Sequence, residues 1–116
     1  MFTSVSFVAM NTALDGLALR QRVIADNVAN IHTPGFLAGR VSFEESLAAA
    51  VRDGNPAAAA GSARVDRSLE PTRENGNNVN LDTETLLNVD TNLRYQLATQ
   101  AIDGTFSRLR TAMRTA

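Results

Sequence analysis

The stretch Ala25-Asp26-Asn27-Val28-Ala29-Asn30-Ile31-His32-Thr33-Pro34-Gly35-Phe36 stops a helix and fixes how the chain leaves it. Phe7, Met10, Leu14, Leu17, Gln21, Ile24, Val28 and Ile31 lead into it with the 3-4 spacing of a heptad seam, in which Gln21 is the one polar member. Asn27 and Asn30 carry short amides that bond nearby backbone and compete with helix continuation. Pro34 pushes Thr33 out of the helical region, and Pro-Gly suits the middle of a type II turn. A helix from about residue 4 to 30 would be roughly 40 Å long. A seam of this kind fits one wall of a small helical bundle or a coiled-coil-like pairing in an assembly.

A second helix is expected at the other end. Asp82 reads as its N-cap, with Leu81 and Leu86 placed as a hydrophobic staple. Running to about Thr115, it would be roughly 50 Å long. Its apolar residues form two stripes: Leu86, Val89, Leu93 and Leu97 on one side, and Tyr95, Ile102, Phe106, Leu109 and Met113 nearly opposite. A hairpin helix needs one stripe. Either the helix breaks at Asp103-Gly104, where glycine costs about 1 kcal/mol relative to alanine, or different neighbours bury its two sides. The second explanation is preferred.

Between the helices, residues 48–78 hold Val51, Val65 and Leu69 as their large apolar residues, among eight alanines and the breakers Gly54, Pro56, Gly61, Pro71 and Gly76. So little to bury favours a mobile linker. The alternative is a short strand or hairpin around Arg40-Val41-Ser42-Phe43 or Ala63-Arg64-Val65-Asp66. The chain therefore divides at 1–36, 37–80 and 81–116: first helix and turn, central segment, second helix. The fold class is mainly α, with two long terminal helices packing as a coiled-coil-like pair in an assembly and a flexible centre able to carry short β-strands.

Chemistry is poorly provisioned. His32 is the single histidine and cysteine is absent, so a His-based triad or a standard zinc site cannot be assembled within the chain. Glu44-Glu45 read as a solvated face. Asn75-Gly76-Asn77-Asn78 suggests a calcium loop, but aligning Gly76 with the loop glycine puts Pro71 and Arg73 where acidic ligands belong. No cofactor or metal is expected. The eleven basic residues, all arginine, are dispersed and the net charge is −1, which argues against nucleic acid or a membrane-binding face. No apolar run is long enough to span a bilayer, and the start, from Phe2 to Leu19, lacks the basic region of a secretory signal.

Residues 25–36 resemble the signature of the flagellar rod, hook and hook-associated axial proteins, in which alanine and asparagine repeat before a Thr-Pro-Gly-aromatic turn. Its elements here are Ala25, Asn27, Ala29, Asn30, Thr33, Pro34, Gly35 and Phe36, with Asp26 where Asn or Ser is more usual. Gly76-Asn77-Asn78-Val79-Asn80-Leu81-Asp82 and Asn92-Leu93-Arg94-Tyr95-Gln96 resemble the proximal-rod branch, although Asn80 replaces the usual Asp and Glu84-Thr85 the usual Glu-Met. The resemblance implies a structural rod subunit, not an enzyme, transmitting motor torque for motility. It further implies export in unfolded form by the flagellar type III apparatus and polymerisation between other rod subunits and the ring or export-gate base. Assembly would use Leu14, Leu17, Ile24, Val28, Leu86, Leu93, Tyr95, Leu97, Ile102, Phe106 and Leu109. The location implied is the rod in the periplasmic space, with no small-molecule substrate, no nucleic acid and no direct membrane insertion. A cytoplasmic helical-hairpin adaptor or export chaperone for flagellar proteins is the alternative.

Overall fold

A computed structural model describes residues 5–115, so the expectation about the chain start lies partly outside the described residues. Helix α1 (Val5–Ala29) and helix α3 (Leu81–Thr115) run antiparallel. Three contacts set their register: Asn27 with Glu84, Gln21 with Asn92, and Phe7 edge-on to Phe106 with 6.0 Å between ring centroids. Because α3 is 35 residues long and α1 is 25, the pair is a rod rather than a ball. The molecule measures 66 × 26 × 15 Å, and its radius of gyration of 17.7 Å exceeds the ~13 Å expected of a compact chain this long. This is the expected mainly helical architecture with paired terminal helices.

The helix ends differ in detail from expectation. Asn80, not Asp82, caps α3: its Oδ1 accepts from the N–H groups of Asp82 and Thr83, at 2.9 and 3.3 Å. Moving the cap back two residues replaces the supposed staple partners. Val79 is buried, whereas Leu81 and Leu86 face solvent. Helix α3 also continues through Gly104 without interruption, which removes the break considered at Asp103-Gly104. Its inward face carries Glu84, Leu87, Thr91, Tyr95, Ala98, Ile102 and Leu109, while Leu86, Val89, Leu93 and Leu97 point away. On α1, Leu17 and Ile24 are buried as the seam requires, but at the next turn Asn27 turns inward and Val28 is left exposed.

The central segment forms both candidate strands, and they pair with each other. Strands β1 (Gly39–Ser42) and β2 (Arg64–Arg67) are antiparallel, from Gly39 opposite Arg67 to Ser42 opposite Arg64. Between them lie a short helix α2 (Glu44–Arg52) and a 3-10 turn over Pro56–Ala59. Strand β1 returns along α1, so that Leu17, Val41 and Phe43 make a small core flanked by Ala13, Val23, Leu47 and Tyr95. The ring of Phe43 lies on Gly16, where an added Cβ would meet it at 2.5 Å. Counting large apolar residues misses this arrangement, because the centre buries Ala50, Pro56, Ala59, Ser68, Asn77 and Asn78, which are small or polar.

Two glycines on helices should therefore respond oppositely to alanine. Gly104 has open space around it, so Gly104→Ala should stabilise by about 1 kcal/mol. Gly16→Ala gains the same propensity but displaces the Phe43 ring, and should destabilise by roughly 1–2 kcal/mol net. Denaturant melts of both variants check this; equal stabilisation would mean that Phe43 does not pack on α1.

Candidate assembly interface

The exit of α1 and the entry of α3 meet in one knot of hydrogen bonds, most of them made by asparagine. Thr33-Pro34-Gly35-Phe36 is the expected turn: Phe36 N–H donates to Thr33 O, and Gly35 has φ +73, the left-handed value that position demands. Gly35 N–H donates to Asn75 O at 2.8 Å. There the second turn, with Gly76 at φ +83, lies back to back with the first; a Cβ on Gly76 would sit 3.3 Å from Gly35 Cα.

Asn77 closes the end of α1. Its Nδ2 donates to Asn30 O and Thr33 O, at 2.8 and 2.9 Å, carbonyls that each also accept one backbone N–H, from Thr33 and Phe36. Its Oδ1 accepts from Val79 N–H and from the Arg73 guanidinium. Arg73 also donates to Ile31 O and Val79 O, so a cation already sits inside the loop once compared with a calcium site. Asn78 ties the centre to the same place, accepting from Ala38 N–H and donating to Ser68 O and Glu70 O.

One turn back along α1, Asn27 is fully buried. Its Oδ1 accepts from Gly39 N–H at 2.8 Å and its Nδ2 donates to Gly39 O at 3.0 Å, so the side chain pairs with the start of β1 as a neighbouring strand would. The same Nδ2 donates to Glu84 Oε2 at 3.1 Å. Glu84, also fully buried, accepts at Oε1 from Arg40 at 2.7 Å. Helix-stopping by local bonding, expected of Asn27 and Asn30, holds for Asn30, which donates to Asp26 O. Asn27 instead spends its amide on distant partners.

A second charged cluster binds the other end of the central segment. Arg20 makes a bidentate pair with Glu44, at 2.6 and 2.7 Å, donates to Val41 O, and lies over the Phe43 ring. Hydrogen bonding to Arg20 holds the Glu44 carboxyl below its ordinary range, against the opposing effect of burial. Glu44 is thus a half-buried tie between α1 and α2, a correction to the solvated face read for the pair; Glu45 does face solvent. His32 is exposed on the turn.

Of the residues expected at the interface, Leu17 and Ile24 are buried within the chain, and Leu14, Tyr95, Ile102 and Leu109 are half-buried. Phe106 packs on Phe7. Leu86, Val89, Leu93 and Leu97 form a continuous outward stripe, each more than half exposed. Arg40, Arg73, Asn77, Asn78 and Glu84 are the site residues that pattern reading left without a role, although the asparagine pair and the first-turn glutamate stand in the very block that carries the resemblance.

Residues 9–36 match the model of the flagella basal body rod protein family. The chain is 35% identical over 106 residues to the flagellar basal body rod protein FlgB of Borreliella burgdorferi, spanning 74% of this chain and 78% of that one. It is 30% identical over 121 residues to FlgB of Bacillus subtilis, spanning 90% and 89%. With FlgB of Escherichia coli the identity is 29% over 111 residues, spanning 79% and 80%.

Two outcomes are expected at the polar knot. Asn27→Ala strands the Gly39 N–H and one side of the Glu84 carboxylate in a buried site, and should cost about 2–4 kcal/mol. Asn30→Ala, which removes exposed local bonds, should cost clearly less by the same urea titration. The Glu44 pair gives a pH signature. Folding lowers its pKa, so its contribution is whole above the ordinary value of 4.5 and lost as pH falls through the lower folded value. Glu44→Gln should destabilise the chain at pH 7, with the difference shrinking as melts are taken below pH 4.5.

Proposed function

The chain belongs to the flagellar basal body rod protein family, and on that footing we infer that it is a structural subunit of the proximal rod of the bacterial flagellum. Its work is to be packed against other rod and basal-body components, and no reaction is assigned to it. The observation that carries the packing role is the outward stripe of α3. Leu86, the most exposed member at 72%, continues through Val89, Leu93 and Leu97 on one side of a helix whose other side is already committed to α1. An apolar stripe of this length on water is an interaction surface in waiting.

A finer reading goes beyond the family, and the exposed apolar residues support its packing part. Partners would cover the α3 stripe and the exposed Val28 on α1, with the ring or export-gate base below and other rod subunits above. The two helices and thin centre make a small core of Leu17, Val41 and Phe43, which suits passage in unfolded form through the flagellar type III apparatus. Folding and packing would then occur in the periplasmic rod, where the paired helices lie along the structure and carry motor torque. Aspartate in the outer stripe tests this. Leu93→Asp leaves the α1–α3 seam intact but would place an unpaired carboxylate in an apolar contact. The variant should be secreted at close to the normal level, keep its helicity, and be missing from purified basal bodies. Normal incorporation would mean that this side of α3 faces solvent in the rod.

A further inference from the structure

We propose that Asn75-Gly76 is a self-modification site that the fold guards: in the opened chain the Gly76 nitrogen closes on the Asn75 amide, and the isoaspartate that results cannot rebuild the polar knot. The proposal stands apart from the rod-subunit reading and concerns the chain alone.

The fold itself calls for the reactive pair. Gly76 has φ +83, and a Cβ on it would approach Gly35 Cα at 3.3 Å, so this position takes glycine. Asn75 serves the same turn: its Oδ1 accepts from Asn77 N–H at 3.1 Å, the local bond to backbone two residues on that asparagine makes readily. Side by side they form the one Asn-Gly pair of the chain. Every other asparagine precedes a residue with a β-carbon, which crowds attack by the next backbone nitrogen.

The reaction needs no partner but water. The Gly76 backbone nitrogen loses its proton and bonds to Asn75 Cγ; the Cγ–Nδ2 bond breaks, and Nδ2 leaves as ammonia with that proton. Water then opens the cyclic imide. Opening between Cγ and nitrogen gives aspartate on an unchanged backbone. Opening between the main-chain carbonyl carbon and nitrogen gives isoaspartate, with the chain now running through Cβ and Cγ and the old carbonyl left as a carboxylate.

In the folded chain each participant is engaged. Gly76 N–H donates to Arg73 O at 2.9 Å, and an imide nitrogen has no hydrogen to give. Asn75 Oδ1 is held on Asn77, while Asn75 O accepts from Gly35 N–H at 2.8 Å. Arg73 N–H donates to Asn77 O at 2.8 Å and closes the loop over the pair. Asn75 is exposed, so water reaches it; the fold withholds the freedom to close the ring. The reaction therefore runs through opened molecules and follows their population.

The product is shut out by its length. Isoaspartate adds one carbon–carbon bond, about 1.5 Å, to the main chain. Hydrogen bonds of this kind hold only between about 2.7 and 3.2 Å. The lengthened loop cannot keep Gly35 N–H on Asn75 O and also set Asn77 against Asn30 O and Thr33 O. A chain that stays open too long thus loses the joint between the exit of α1 and the entry of α3.

The test follows Asn75 in the full chain. Purified protein is held in mildly alkaline buffer with and without urea, and the tryptic peptide 74–94 is analysed by mass and fragmentation. In urea, Asn75 should convert about tenfold or more faster than Asn88, which precedes valine in the same peptide, and omitting urea should slow it by about tenfold or more. Asn77→Ala, which removes the ties from this loop to the end of α1, should restore much of the urea rate in plain buffer. Equal rates with and without urea, or conversion spread evenly over the asparagines, overturn the proposal. Protein aged in urea is then diluted into buffer and separated by size exclusion, with isoaspartate measured by enzymatic methylation. Isoaspartate should be several-fold enriched in the expanded fraction, whereas Asn75→Asp, which adds charge to an unchanged backbone, should elute with the unaltered chain. Isoaspartate equally abundant in the compact fraction, or an Asn75→Asp chain that elutes expanded, would overturn the exclusion by length.

Discussion

The side-chain amide of Asn27 is the contact on which the rest of the arrangement hangs. It pairs with both backbone groups of Gly39 and donates to Glu84, so a single buried carboxamide joins α1 to the first strand and to the first turn of α3. Each partner would be costly to bury alone. A backbone N–H and C=O beside a helix need partners, and a fully buried carboxylate needs more than the one guanidinium that Arg40 supplies. Because the three groups satisfy one another, the register between α1 and α3 is fixed at this end. Everything farther along, from Gln21 with Asn92 to Phe7 with Phe106, follows by helical repeat.

That fixed end also decides which side of α3 remains for partners. Once Glu84 faces inward, helical geometry brings Leu87, Thr91, Tyr95, Ala98 and Ile102 to the same side. Leu86, Val89, Leu93 and Leu97 must then point outward. The more leucine-rich stripe is thus the one the chain leaves uncovered. For an isolated molecule this is a poor use of apolar surface; for a subunit of a packed rod it is the surface that assembly requires. Thr91, buried with its hydroxyl unpartnered among the described residues, shows that the inward face was not chosen for apolarity.

The centre follows the same economy. It has too few large side chains to fold by hydrophobic burial, and it orders by hanging on the helices. Arg20 grips Glu44, Val41 O and the Phe43 ring at one end. Asn78 grips Ala38, Ser68 and Glu70 at the other. Between these anchors the chain needs only a four-residue strand pair, a helix of nine residues and small side chains.

What could be read without coordinates was local. The Thr33-Pro34-Gly35 turn, the heptad seam through Leu17 and Ile24, the existence of both long helices and the two stripes of α3 all depend on residues within about four positions of one another. The resemblance to the rod family rests on the same local blocks. Errors arose where a polar residue had a local role and a distant one to choose between. Asn27 reads as a helix breaker and is a cross-chain tie; Asp82 reads as a cap when Asn80 holds the amides; Glu44 reads as solvated and pairs with Arg20. A sequence records which groups can donate and accept, but not which will meet. Only the folded chain, by bringing Gly39 and Glu84 to Asn27, decided those pairings and with them the face that α3 turns to its neighbours.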